Sequence, residues 1–350
     1  MKYNEFKPNN AERVEHMKKE KGNQTQKSKH KFFRVIAGIF VAFCVLNAIV
    51  GLFMNHASVG YFKSTAGRTE YLAAYDKALE TLPKPSAILD TNTSWGVVRV
   101  YEWVNEEYSD APPVVLLPGH SSGSPMWQSN LVGLSKQHTV YALDVLGDAG
   151  KSIQAVPLQK ASDVSGWISE VFDGLRIERA HLVGHSFGGG YAADFARDFP
   201  EKVQTLTLLE PAFALNYPPF STLFWASVGS IEFLPESWRN YGIAKLSGAK
   251  SSDVASDDPL AKMISAASTY YAASLPTPET LKTEELKNLE MPVYVALAET
   301  SAITGKKAEE QAALIPDVIV KVWANTTHSL PMEVPTELAQ ILNQFWARNE

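Results

Sequence analysis

Residues 180–190 read AHLVGHSFGGG. A short apolar run, Ala180–Val183, leads into Gly184-His185-Ser186-Phe187-Gly188, and Gly188-Gly189-Gly190 opens a stretch with helical spacing that continues to Asp198. A strand, then G-x-S-x-G, then a helix is the arrangement of a nucleophile elbow. Small residues on both sides of the serine let the chain pass from strand to helix in one tight turn, leaving the hydroxyl at its tip. The pentapeptide alone is a weak signal; the strand before it and the helix after it make it specific. Ser186 is therefore the candidate nucleophile.

A serine hydroxyl attacks poorly without a base. The last strand-like run is Val318–Val322, and Thr327-His328-Ser329 follows it. Of the eight histidines, His328 alone has this position and is the candidate base. His185, beside the nucleophile, is expected to pack or bond locally, and His16, His30 and His56 fall in or next to the N-terminal segment discussed below.

Around the elbow, strand-like and helix-like segments alternate. Val97–Val104, Pro113–Leu117, Thr139–Val145, Val203–Leu209 and Pro292–Leu297 read as further strands. Glu70–Leu82, Val164–Leu175 and Pro335–Arg348 read as helices. Continuous apolar strands between helices predict an α/β fold, a mostly parallel, doubly wound sheet covered on both faces. One stretch breaks the rhythm. Pro211–Glu290 holds many aromatics, with helical spacing in places and no convincing strand, and is expected to be an inserted helical cap at about 211–290.

The charge is uneven. The chain has 350 residues and a net charge of −6. Residues 1–34 carry ten Lys/Arg and four Glu, a net +6, which leaves −12 for the remainder. An acidic body argues against nucleic acid as a partner. The single Cys excludes a disulfide framework. Val35–Met54 is a run of twenty residues without a charge, and about twenty apolar residues cross a ~30 Å hydrocarbon core. The expected organisation is a basic cytoplasmic tail (1–34), one transmembrane helix (35–54), a linker and lead-in helix (55–85) and a catalytic body (86–350). The basic flank orients the N-terminus to the cytoplasm and the body to the outer face of the cell membrane. A cleaved signal peptide is the alternative, though it has a shorter apolar region and a small-x-small site, and Asn55-His56-Ala57-Ser58 is a poor one.

From about Ser86 to Glu350 the chain resembles the α/β-hydrolases, and within them bacterial carboxylesterase-like serine hydrolases. The matching pieces are LLPGHSSGSPMW (116–127), YALDVLGDAGKS (141–152), HLVGHSFGGG (181–190) and THSLPMEVP (327–335). In the second piece Asp148 stands where His is usual. The resemblance implies an oxyanion hole of two backbone N–H groups. One is that of Phe187, after the nucleophile; the other is that of His120, in Pro118-Gly119-His120. It also implies an acid after the strand Pro292–Leu297, where this chain has Ser301. Three assignments stay open: Glu210, at the end of Val203–Leu209, Glu299 through a rearranged loop, or no acid at all.

Other chemistries find no support in the sequence. Gly150-Lys151-Ser152 resembles the end of a phosphate-binding loop, but the glycine required five residues before Gly150 is Val145. No metal-binding motif is seen, and no cofactor is expected. A serine rather than an aspartate nucleophile disfavours haloalkane dehalogenase or epoxide hydrolase chemistry. The expected activity is cleavage of small carboxylic esters, partly apolar to suit an aromatic cap, by a Ser-His-acid acyl-enzyme mechanism. The alternative is a catalytically degraded member of the fold that binds a ligand or signals.

Overall fold

The structure is a computed structural model and describes residues 58–230, 234–248 and 257–350. The basic tail and the expected membrane span Val35–Met54 lie outside the described residues. No helix among the described residues is long and apolar enough to cross a membrane.

The described chain begins with β1 (Tyr61–Phe62) and α1 (Thr65–Leu79), followed by β2 (Ala87–Thr93), β3 (Gly96–Trp103) and β4 (Val114–Leu117). Next come α2 (Leu131–Leu134), β5 (Val140–Leu143), β6 (Ile153–Gln154), α3 (Ala161–Leu175), β7 (Ala180–His185), α4 (Phe187–Asp198) and β8 (Val203–Leu209). Helices α5 (Phe220–Ser230), α6 (Glu236–Ser247) and α7 (Pro259–Tyr270), strand β9 (Tyr271–Ala272) and α8 (Thr283–Lys287) fill the interval before β10 (Val293–Ala298). The chain closes with α9 (Lys306–Ala312), β11 (Val318–Trp323), α10 (Leu330–Glu333) and α11 (Pro335–Ala347).

One sheet organises the body. Its strands lie in the order β11-β10-β8-β7-β4-β5-β3-β2, with β6 against β3. From β11 to β5 all pairings are parallel; β3 runs antiparallel to β5, and β2 and β6 antiparallel to β3. The burial patterns explain which strands were readable. Every residue of β4, β7 and β10 is buried, as a strand covered on both faces requires. Alternate residues of one strand feed two separate cores: Val115, Leu117 and Leu182 pack under α3 and α4, while Val114, Leu116 and Val183 face the layer of α1, α7 and α11. Edge strand β2 (AILDTNT) alternates exposed and covered residues and is half polar, so no apolar run announces it.

Two expected boundaries move. The lead-in helix starts earlier, at Thr65, where the Ser64 side chain accepts a hydrogen bond from Gly67 N (3.0 Å) and caps it. It is not a linker. Tyr71 and Tyr75 on its inner face are fully buried, and residues 57–350 form one compact unit. The interval 211–290 also divides. Helices α5 and α6 pack on each other and expose Phe220, Trp238 and Tyr241. Helix α7 instead packs on α1, burying Leu260, Met263 and Ala267, and β9 pairs antiparallel with β1. So the region contains a strand after all, a two-residue one whose partner lies before the sheet begins. The close contact of α1 and α7 needs Gly67, where a Cβ would come within 2.7 Å of the Tyr270 ring.

Candidate active site

The C-terminal ends of β4, β7, β8, β10 and β11 bring together the residues singled out above. In an open parallel sheet this is the edge where ligands bind, near the point where strand order reverses. Here that point is β4, which has β5 on one side and β7 on the other.

Ser186 follows β7 directly, with φ 54° and ψ −121°, a conformation that L-residues adopt only when their surroundings enforce it. The enforcement is visible. Ser186 N donates to Leu209 O (3.1 Å), and Ser186 O accepts from Gly190 N (3.0 Å) and Ala212 N (2.9 Å). The two flanking glycines of the motif are sterically required. A Cβ on Gly184 would lie 2.2 Å from Gly188 O, and one on Gly188 would lie 2.3 Å from Leu117 O. The turn is thus wedged against the end of β4.

His328 lies in the loop between β11 and α10. Its Nε2 is 2.9 Å from Ser186 Oγ, and its Nδ1 is 3.2 Å from Glu210 Oε2. A carboxylate accepts, so Nδ1 carries a proton towards Glu210, and the Nε2 lone pair faces the serine hydroxyl. Glu210 sits just past β8 with φ 47° and is fully buried. Its Oε1 accepts from Ala298 N (2.6 Å) and Thr304 Oγ1 (2.9 Å), and its Oε2 accepts from Ser301 Oγ (2.5 Å). Burial pushes the Glu210 carboxyl up. The hydrogen bond and charge of His328, with the bonds from Ala298 N and Ser301, outweigh it and hold the group below its ordinary value. Glu210 is therefore an ionised acceptor at neutral pH.

Glu299 is not brought to the site. It is exposed and accepts a hydrogen bond from Asn325 N (2.8 Å), the strained residue (φ 57°) that turns the chain after β11. Ser301, in the place where the resemblance implied the acid, serves Glu210. Its hydroxyl donates to Glu210 and accepts from Ile303 N (3.0 Å) and Thr304 N (2.9 Å).

Phe187 begins α4, where a helix leaves its first N–H groups without intrahelical acceptors. The loop after β4 runs alongside, since a Cβ on Gly119 would lie 3.3 Å from Ser186 Cβ. His120, next in that loop, has its ring 5.4 Å from that of Phe187. Asp148 holds this loop in place: its Oδ2 accepts from Ser121 N (2.7 Å) and from His120 Nδ1 (3.1 Å). Burial lowers the His120 pKa and Asp148 more than restores it, leaving the imidazole above its ordinary value. One residue layer deeper, buried Asp144 accepts from Tyr75 Oη (2.8 Å), Ser124 N (2.8 Å) and Lys151 N (2.7 Å). It thereby ties α1 to the loops after β4 and β5.

Sequence reasoning gave His185 only a local role, and the structure makes that role specific. His185 Nε2 donates to the backbone carbonyl of His328 (2.9 Å), and the two rings lie 4.9 Å apart. His185 is 5% exposed, and its pKa is lowered to about 3, by burial first and then by the charge of His328. It stays neutral and clamps the loop carrying His328. No motif signals this, because the two residues are 143 positions apart. Thr304 was also missed; a lone threonine in a loop carries no pattern.

Strand order, elbow and relay together define a class. The chain belongs to the alpha/beta hydrolase family, whose model matches residues 114–341. Among curated proteins it is similar to carboxylesterase YbfK of Bacillus subtilis (strain 168), with 27% identity over 303 residues that cover 81% of this chain and 96% of the relative. The uncharacterized carboxylesterase nap of the same organism is 27% identical over 291 residues, covering 79% of this chain and 92% of the relative. Among solved structures, naproxen esterase (carboxylesterase NP) from Bacillus subtilis superposes with a TM-score of 0.73. It is 25% identical, with 81% of this chain and 99% of that one covered.

Proposed function

We propose that this chain hydrolyses carboxylic esters through an acyl-enzyme formed on Ser186. The single observation that carries the reading is the unbroken hydrogen-bond chain Glu210–His328–Ser186, at 3.2 and 2.9 Å. His328 takes the proton of the Ser186 hydroxyl as Oγ attacks the ester carbonyl. Ionised Glu210 holds the tautomer that leaves Nε2 free and stabilises the imidazolium that forms. The N–H groups of Phe187 and His120 receive the negative charge that develops on the carbonyl oxygen. His328 then gives its proton to the leaving alkoxide, and a water, activated by the same imidazole, releases the acid. The similarity to two carboxylesterases supports the choice of ester over other acyl compounds. The aromatic residues of α5 and α6 favour a substrate with an apolar group.

The test is hydrolysis of p-nitrophenyl acetate and butyrate. The wild-type chain is expected to cleave both, and Ser186→Ala to lose the activity; full activity in Ser186→Ala would sink the assignment. A fluorophosphonate probe is expected to label the wild type rapidly and at Ser186. Absence of labelling would favour the degraded, ligand-binding alternative.

The reading extends to location. The charge-free run Val35–Met54 behind a +6 head supports a single membrane anchor, with the N-terminus cytoplasmic and the body at the outer face. Protease treatment of intact cells is expected to digest the body and spare an N-terminal tag. A body that resists digestion until cells are lysed would overturn that orientation.

A further inference from the structure

At the opposite end of the sheet from Ser186, two histidines and a glutamate converge. His138 lies just before β5, His181 is the second residue of β7, and Glu350 follows α11. One ligand atom from each lies within 4.8 Å of the others. Both histidines are fully buried. Each is oriented through Nδ1: His138 towards Pro112 O (3.0 Å) and His181 towards Thr205 Oγ1 (2.9 Å). Trp346 holds both rings from the side, edge-on to His138 (87°) and stacked on His181 (23°). Both Nε2 atoms are left buried without a hydrogen-bond partner.

The tautomer of His138 follows from its partner. A carbonyl only accepts, so the proton sits on Nδ1 and Nε2 presents a bare lone pair. That lone pair faces Glu350 Oε1 at 3.7 Å, a second acceptor. Two acceptors turned towards each other in a largely desolvated place call for something positive between them.

We propose that His138, His181 and Glu350 bind one divalent transition-metal ion of the zinc class. Two neutral imidazole nitrogens and a carboxylate oxygen are the donor set such ions prefer. Hydrogen bonds from the far ring nitrogens to Pro112 and Thr205 are the outer-shell support that fixes ligating histidines. The Glu350 side chain is 39% exposed. It gives the ion a path from solvent and freedom to close to the ~2.0–2.2 Å that zinc requires. The site lies at the start of β7 while Ser186 lies past its end, so its role is structural. It staples the segment after α11 to the starts of β5 and β7. The three ligands lie far apart in the chain and match no short motif, which is why the sequence shows no metal signature.

The experiment uses the full chain without a histidine tag, stripped with a chelator and titrated with zinc sulfate in a calorimeter. One saturable site per chain is expected, and zinc should raise the Tm while leaving p-nitrophenyl ester hydrolysis unchanged. Glu350→Gln, at an exposed position that does not threaten folding, should weaken binding about tenfold and remove the Tm shift. Thr205→Val keeps every ligand but loosens His181, and should weaken binding about tenfold as well. Absence of saturable binding would overturn the proposal. So would zinc binding of equal strength in the wild type, Glu350→Gln and Thr205→Val. Neither result bears on the ester reading, which has its own assay.

Discussion

Strands β8 and β10 are parallel neighbours, both largely buried, and both end beside His328. Past β8 the chain presents Glu210, fully buried and held by three hydrogen bonds apart from its contact with His328. Past β10 it presents Ser301, whose hydroxyl is one of those three, and Glu299, which points to solvent. The usual place of the acid in this family is after β10. Here the carboxylate that meets His328 stands one strand over, and Ser301 donates a hydrogen bond to it. The lesson is that the imidazole needs a carboxylate at Nδ1, whichever strand delivers it.

Four substitutions test that contrast, taken from the largest expected effect to the smallest. Glu210→Gln keeps the shape and removes the charge. By analogy with the amide replacement in serine proteases, kcat/KM for p-nitrophenyl butyrate should fall about 10³–10⁴-fold, with the circular dichroism spectrum unchanged. Activity within tenfold of wild type would remove Glu210 from the relay. Ser301→Ala leaves Glu210 in place with one donor fewer. A hydrogen bond to a charged group is worth about 1.5–3 kcal/mol. Since Ala298 N and Thr304 remain, a loss of about tenfold in kcat is expected, with KM nearly unchanged. A change confined to KM would mean that Ser301 meets substrate and not the acid.

The third test reads pH. The folded pKa of His185 is about 3 against an ordinary 6.5, so between those values the unfolded chain binds a proton that the folded chain does not. Stability should therefore fall as pH drops from about 6.5 towards 3. Glu210, also lowered, adds to the loss below its ordinary 4.5. The urea midpoint followed from pH 8 to pH 4 should decline, and His185→Gln should flatten the upper part of that decline. A variant with the wild-type slope would show that His185 is not the group responsible. The smallest effect belongs to Glu299→Gln. An exposed carboxylate holding one backbone N–H should change activity by less than about twofold and stability by about 0.5 kcal/mol. A loss comparable with that of Glu210→Gln would reverse the comparison.

What could be read from the chain follows the same division. β4, β7, β8 and β10 were visible because strands covered on both faces are largely apolar. β2 was not, because an edge strand is half polar. The helix α1 was legible as a helix but not as core. Its tyrosines carry hydroxyls, and the Tyr75 hydroxyl finds its partners, Asp144 and Tyr101, far along the chain. The interval 211–290 was legible as helical. Nothing in it signalled that α7 belongs to the body, since its apolar face is satisfied by α1, nearly 190 residues earlier in the chain.

The sequence by itself determined the class of fold and singled out Ser186 and His328. Each rests on a local rule: an apolar run makes a strand, small residues permit the turn at Ser186, and chain order puts the histidine after the last strand. Only the tertiary structure decided which carboxylate meets His328, the clamp of His185 on His328 and the meeting of His138, His181 and Glu350. Those depend on which strands lie side by side. Glu210 and His328 are 118 residues apart, and no local pattern encodes a contact that exists only once the sheet has ordered β8, β10 and β11.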